Sequence, residues 1–257
     1  MGFFDLFKGG DKGDAEKKAQ KASKKETSSA AAVAKFGARA ADKRAQNYDR
    51  SEALAMLAEI GTAESAAALL RRFTFTMDPS ITDQEEKDVA AQGVAAAGRE
   101  AIEPIRDFAA KAESLSWPMK ILRELVDENE FVEEIISWLD EWDTEYSKFI
   151  DPKVQLLVEL EEHKHEKIRE AVEPFLEDVN ETARFHAACA MFHQEDEAAA
   201  AAILKILPDE ESFRVKNKIA DSMATRGWIV PEDLREQTAK VLPPSYAIDQ
   251  DGKIRKG

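Results

Sequence analysis

Cysteine is almost absent from this chain of 257 residues, since it occurs once, at Cys189. An intrachain disulfide is therefore excluded. The sequence also lacks a secretory signal segment and any apolar run as long as a membrane span. It contains no glycine-rich phosphate loop, nucleophile elbow or Ser-His-Asp set, so enzymes of those classes are not expected. With 11 Gly, 9 Pro and few β-branched clusters, extensive sheet is not expected either.

Charge is abundant but unevenly placed along the chain. The formal net charge is −15, yet residues 1–45 carry eleven Lys and Arg against six Asp and Glu, a net of +5, which leaves −20 on the rest. Such an acidic body repels phosphate, so nucleic acid is an unlikely partner by this argument. The negative charge either solvates the outer faces of the helices and prevents end-to-end association of molecules, or it attracts a basic or amphipathic protein or peptide.

Apolar residues recur at helical spacing from Ala30 onward, which predicts a first helix and then six pairs of helices. Gly61 and Gly98 are expected to make the turns inside the first two pairs. In the second pair, Val89 and Ile105 are expected to face inward, and the stretch between the first two pairs is interpreted as irregular. The predicted pairs cover residues 48–73, 82–112, 117–142, 151–177, 180–207 and 212–242.

A short pattern near the fifth pair returns about 32 residues later. It runs from Asp178 through Ala183 to Arg184 and is followed by several alanines, and a similar stretch runs from Pro208 to Lys216. Together with a closing Leu204-x-x-Leu207, this pattern resembles the HEAT-repeat family. The resemblance is clear over about 178–224, moderate over 48–112 and weaker over 117–177.

The resemblance implies an all-α fold, an α-solenoid of about six HEAT-like helical hairpins. Residues 30–244 would form the stack, 1–29 a flexible basic head and tether, and 245–257 a C-terminal cap. Each pair would bury its apolar stripe against its neighbours. HEAT-like stacks serve both scaffolds and enzymes, so the fold alone does not choose a function.

The favoured interpretation is a non-enzymatic intracellular scaffold or adaptor that binds a protein or peptide on an acidic helical surface, without a cofactor. The alternative is a HEAT-repeat enzyme or enzyme accessory, either chromophore lyase-like or nucleic-acid-modifying. The absence of a signal segment favours a cytoplasmic location.

The N-terminal head combines apolar and basic residues. Its apolar residues are followed by seven lysines before residue 26. An apolar wedge beside a basic segment is typical of an anchor to an anionic membrane, on the inner face in this case, and the same wedge could enter a groove on a protein partner or fold back on the helices. The predicted anchor residues are Phe3, Phe4, Leu6 and Phe7.

Two further groups of side chains are candidates for function. Trp138 and Trp142 are four residues apart in an acidic stretch, so any exposed ring would offer an anchor for a basic or amphipathic partner. His186, Cys189 and His193 can share one helix face, a spacing that zinc could use. Small packing residues surround Cys189, however, and we expect no metal site there.

The C-terminal tail predicts a small β-hairpin. Asp251-Gly252 favours a two-residue turn, and Ile248 and Ile254 lie on either side of it. A lone hairpin is marginal in water, so this one is expected to pack on the last helix pair.

Overall fold

The computed structural model describes residues 29–257, and within this range the chain is almost entirely helical. The sheet in the described range has two short strands. The prediction of an all-α protein is confirmed at this level. The helices form two compact units, one of residues 29–108 with 120–125 and the other of residues 109–119 with 126–257. Treating 30–244 as one continuous stack stays a prediction.

The first unit contains the predicted first helix and the first two pairs. Helix α1 covers residues 29–40. The following helices are α2 Asn47–Ile60, α3 Ala63–Leu70, α4 Ser80–Ala96 and α5 Ile102–Ala109, with 3₁₀ turns at Arg71–Thr74 and Gly98–Ala101. Helix α6, Ser116–Leu125, is divided between the two units.

The second unit holds the remaining helices and the sheet. Two α-helices lie in each of the six predicted ranges, to within two residues at the ends. Their arrangement as repeats stays a prediction. The α-helices are α7 Glu128–Leu139, α8 Asp151–Leu160, α9 Ile168–Val172, α10 Glu181–His193, α11 Ala200–Lys205, α12 Phe213–Arg226 and α13 Arg235–Val241. Shorter 3₁₀ segments occupy Glu173–Glu177, Glu197–Ala199 and Glu232–Leu234.

Local signals explain where several helices begin and end. Thr62 and Ser65 form a reciprocal capping box at the start of α3. The side chains of Asn180 and Ser212 accept backbone hydrogen bonds at the starts of α10 and α12, and these two caps are 32 residues apart. Gly61 ends α2 with a φ of 61°, in the left-handed region that glycine adopts without steric cost.

Apolar side chains fill the interior of each unit. In the first unit Leu54, Leu57, Leu69, Val94 and Ile105 are fully buried, which confirms the inward position of Ile105. Val89 is 39% exposed, so the prediction that it faces inward is wrong. The buried apolar set of the second unit includes Leu139, Leu156, Leu157, Leu160, Ile168, Val172, Ala183, Ala187, Ile203, Leu204, Val215 and Ile219.

Charged side chains also lie inside the first unit. Arg50 and Arg72 are fully buried, and both donate to Glu86, at 2.7 Å from each Nε to Oε2. Arg72 Nη2 and Lys87 Nζ each lie 2.7 Å from one oxygen of Asp83. Burial acts to raise the pKa of Asp83, but the hydrogen bonds and charges of Lys87 and Arg72 outweigh it and leave that pKa below its usual value.

The helices of the first unit approach each other closely at Gly93. A Cβ atom added to Gly93 would lie 2.8 Å from Ala58 Cβ and 2.8 Å from Leu69 Cδ1. No real Cβ tolerates such contacts, so α4 can pack this closely on α2 and α3 only because residue 93 has no side chain.

We expect Gly93→Ala to lower the free energy of unfolding by about 1–2 kcal/mol, because overpacking outweighs the gain in helix propensity. Urea denaturation followed by far-UV circular dichroism measures the change. Ala55→Gly, at an exposed position of α2, supplies the propensity difference without a packing term. A Gly93→Ala protein more stable than wild type would contradict the close contact.

The C-terminal hairpin forms where it was predicted. Strands β1 Tyr246–Ile248 and β2 Ile254–Lys256 pair antiparallel, with Ile248 opposite Ile254. The turn differs from the expected two-residue type, since Asp249 N donates to Lys253 O and leaves three residues in the loop. Gly252 lies in the left-handed region at φ 78°, as a three-residue hairpin loop requires.

The hairpin packs on α12, as expected. Ile254 is fully buried, and Tyr246 Oη donates to Asp221 Oδ1 at 3.0 Å. Among residues 29–257, no helix is both long enough and apolar enough to cross a lipid bilayer.

Candidate functional site

The sequence-predicted site residues fall in different places. Phe3, Phe4, Leu6 and Phe7 lie outside the described residues. Trp138 is only 8% exposed, and Trp142 is half-buried. Trp138 therefore packs inside the second unit and offers a partner little surface, while Trp142 keeps part of its ring accessible.

Two of the four histidines, His163 and His186, contact carboxylates. His163 is buried, with Nδ1 2.5 Å from Glu128 Oε1 and Nε2 3.0 Å from Glu159 Oε1, so it connects α7 with the C-terminal end of α8. His186 Nδ1 lies 3.1 Å from Glu161 Oε2.

Cys189 has the properties of an inert thiol. Burial raises the pKa of Cys189 to about 12, so the side chain stays protonated and a poor metal ligand. Within residues 29–257, no group of three or more His, Cys, Asp and Glu side chains is arranged so that it could hold a metal ion.

The most distinctive surface of the second unit is acidic and concave. One cavity of about 460 Å³ is lined by residues 176–179, Arg184, residues 205–206 and residues 209–211. A second cavity of about 600 Å³ is lined by Thr144, residues 169–170, residues 173–174 and Glu177. Glu177 lies in both. We call the exposed carboxylates of these two cavities the acidic surface; they are Glu170, Glu173, Glu177, Asp209 and Glu211.

The acidic surface is uncompensated within the described part of the chain. None of its five carboxylates has an ion-pair partner there. The cations nearby are mostly engaged elsewhere, since Arg169 pairs with Asp196 at 2.8 Å and Arg184 with Glu210 at 2.8 Å. Lys205 remains as an exposed cation in the first cavity.

Buried ion pairs hold the backbone that carries this surface. Lys153 Nζ lies 2.5 Å from Asp178 Oδ2, and both side chains are fully buried. Asp178 Oδ1 accepts the N–H of Asn180 at 2.7 Å, which positions the cap of α10. Lys153 Nζ also donates to Asp143 O at 2.9 Å. The Lys153 ammonium therefore connects α8 with the segment before it and with the segment before α10.

Arg184 fixes the neighbouring helix pair in the same way. Its guanidinium forms two hydrogen bonds with Glu210, both at 2.8 Å, and a third with Asp178 O. Burial acts to raise the pKa of Glu210, but the hydrogen bonds from Arg184 and from the Ser212 backbone outweigh it and hold the pKa below its usual range. Glu210 therefore stays ionised at neutral pH as a structural anion.

Sequence reasoning identified part of this arrangement. The HEAT-like pattern singled out Asp178 and Arg184, and both prove to be anchors of the junction. In the next pair Glu210 occupies the place equivalent to Asp178, because it accepts from the Ser212 N–H as Asp178 accepts from Asn180. The buried lysine at position 153 was missed.

Comparison with models of protein families found none that matches the chain, and comparison with curated proteins also found no match. The class that the fold and the site define is therefore an all-α protein of paired helices, with an acidic concave surface in its second unit and a small C-terminal sheet.

Proposed function

We propose that this chain is a non-enzymatic scaffold or adaptor that binds a basic segment of a protein or peptide on the acidic surface. The observation that carries the proposal is the set of five exposed carboxylates without ion-pair partners in residues 29–257. A cationic segment would supply the missing counter-charges.

The arrangement of three of these carboxylates supports the proposal. Glu170, Glu173 and Glu177 are spaced three and four residues apart along one helical segment, α9 and the 3₁₀ turn that follows. Like charges at this spacing destabilise a helix by a few tenths of a kcal/mol per pair. A bound Lys or Arg would remove that repulsion. The free energy that the repulsion costs the unbound chain is then recovered on binding and adds to the affinity.

A HEAT-like α-solenoid of about six hairpins is the architecture we propose for the scaffold. The fifth and sixth pairs have caps 32 residues apart, and α10 contacts both α8 before it and α12 after it, as stacked repeats do. The apolar residues of the head, Phe3, Phe4, Leu6 and Phe7, would tether this scaffold to an anionic membrane or to a second partner.

The proposed function is tested with a short fluorescein-labelled peptide of lysine and leucine, called the Lys-Leu peptide, and the full chain. We expect Glu170→Gln/Glu173→Gln/Glu177→Gln to weaken binding about 5- to 30-fold, because three exposed ion pairs contribute about 1–2 kcal/mol in total. Fluorescence anisotropy measures the affinity, and rising salt should weaken wild-type binding.

The matched control changes the net charge equally but elsewhere. Glu52→Gln/Glu59→Gln/Glu85→Gln removes three exposed carboxylates of the first unit. If both triple variants weaken peptide binding by the same factor, the affinity depends only on the net charge of the chain. In that case the acidic surface is not the binding site.

A further inference from the structure

Large apolar side chains are exposed at particular positions of this fold. The six most exposed ones among residues 29–257 all lie within a few residues of the start of the first helix of a pair, with exposures between 55% and 83%. Scattered exposed apolar residues need no explanation, but a position that recurs in five of the six predicted pairs does. The six are Tyr48, Ile81, Tyr146, Phe149, Val179 and Phe213.

Four of these side chains belong to the second unit, and one of them, Val179, lines the first cavity of the acidic surface. We call Tyr146, Phe149, Val179 and Phe213 the junction side chains. Val179 and Glu177 line the same cavity, and Val179 N donates to Thr144 O at 3.0 Å, which brings the segment before Tyr146 alongside.

Phe213 is connected to the acidic surface through the residues just before α12. It follows Glu211 and the cap Ser212, whose Oγ donates to Glu181 at 2.9 Å. Hydrogen bonds thus connect the three segments that carry the junction side chains, and carboxylates of the acidic surface lie in or next to them.

From this juxtaposition we propose that the junction side chains form the apolar half of a docking surface whose occupant is a basic segment with interspersed apolar side chains. The inference rests on the proposed function and deepens it, because it states what the partner must carry besides positive charge. The carboxylates take the ammonium or guanidinium groups, and the junction side chains cover the apolar ones.

Charge decides between this occupant and two others. A second copy of the chain would bring its own acidic surface against this one, and like charges facing each other oppose association. An anionic lipid surface would meet the same carboxylates and be repelled. A basic amphipathic segment satisfies both halves of the surface at once.

The test compares two labelled probes on the full chain. One is the Lys-Leu peptide, and the other is a Lys-Ser peptide with every leucine replaced by serine. We expect Val179→Ser/Phe213→Ser to weaken binding of the Lys-Leu peptide about tenfold, because the variant removes apolar contact area. The affinity for the Lys-Ser peptide should not change, because the variant removes no charge. The wild-type chain should prefer the Lys-Leu peptide by a similar factor.

A matched control keeps the result specific. Val158→Ser/Ile229→Ser replaces two apolar side chains of the same unit that are exposed away from the junctions, and it should alter neither affinity. Far-UV circular dichroism confirms that both double variants remain folded.

The outcomes separate this inference from the proposed function. If wild type binds both peptides with equal affinity while Glu170→Gln/Glu173→Gln/Glu177→Gln weakens binding of both, the proposed function stands. The role given to the junction side chains is then wrong. If neither peptide binds wild type, both proposals fail. A dimer in sedimentation equilibrium that dissociates on Val179→Ser/Phe213→Ser would assign the surface to a second copy, and anionic vesicles released by the same change would assign it to lipid. Either result overturns the inference.

Discussion

Replacing Glu86 with glutamine is expected to lower the free energy of unfolding by about 3–5 kcal/mol, since breaking a buried ion pair leaves charge without compensation. Glu86 is the shared acceptor of Arg50 and Arg72, and neither guanidinium reaches solvent. Glutamine keeps the shape but not the charge. Arg50 would then have no carboxylate partner, and Arg72 would keep only Asp83, which also accepts from Lys87.

Urea denaturation monitored by far-UV circular dichroism measures this loss. The control is Glu85→Gln, because Glu85 is the exposed neighbour on the same helix and should change stability by no more than about 0.5 kcal/mol. Equal stabilities for the two variants would show that the carboxylate of Glu86 does not neutralise the buried arginines.

Lys153→Met is expected to destabilise the second unit by a similar amount, about 3–5 kcal/mol. The substitution leaves the Asp178 carboxylate fully buried without its cation, and it removes the hydrogen bond to Asp143 O. All four tryptophans of the chain lie in the second unit, so tryptophan fluorescence during urea denaturation reports on this unit.

A double variant tests the electrostatic origin of the effect. Lys153→Met/Asp178→Asn removes both charges and keeps an oxygen to cap α10, so it should be more stable than Lys153→Met alone. Lys240→Met breaks an exposed ion pair with Glu236 and should cost no more than about 1 kcal/mol. A double variant less stable than Lys153→Met would point to lost packing of the lysine stem instead of an unpaired charge.

Helices were the most predictable part of this protein. Apolar spacing predicted helices in the ranges where they occur, because the apolar stripe that a helix buries is a local property of the sequence. Val89 was misassigned, since α4 is turned so that Ala90 and Val94 face the interior and Val89 points outward. Sequence spacing fixes which residues share a face, but packing decides which face is covered.

The buried charges could not be predicted from the sequence. Arg50, Arg72 and Lys153 belong to residue types that are almost always exposed, and their partners are 36, 14 and 25 residues away. The pattern from Asp178 to Arg184 indicates a resemblance to HEAT repeats but no partner for either charge. The partner of Arg184 is Glu210, which lies 26 residues further along the chain.

The binding surface and its basic or amphipathic partner stay predictions. The composition indicates an acidic helical surface, and an exposed ring of Trp138 or Trp142 is expected to be its anchor. Trp138 is buried and Trp142 is half-buried, while Phe213 and Tyr146 are exposed. Whether a residue near the start of a helix pair is exposed depends on where the neighbouring segments lie. The spacing of apolar residues along the sequence does not determine this.

The C-terminal hairpin affects whether copies of this chain can associate through α12. An uncovered apolar face on a helix is a surface to which another copy of a chain can add, and repetition of such a contact yields filaments. Here β2 lies against α12, Ile254 is fully covered, and Lys256 places its ammonium 3.3 Å from Asp221. The face of α12 beneath the hairpin is therefore not available to another copy of the chain.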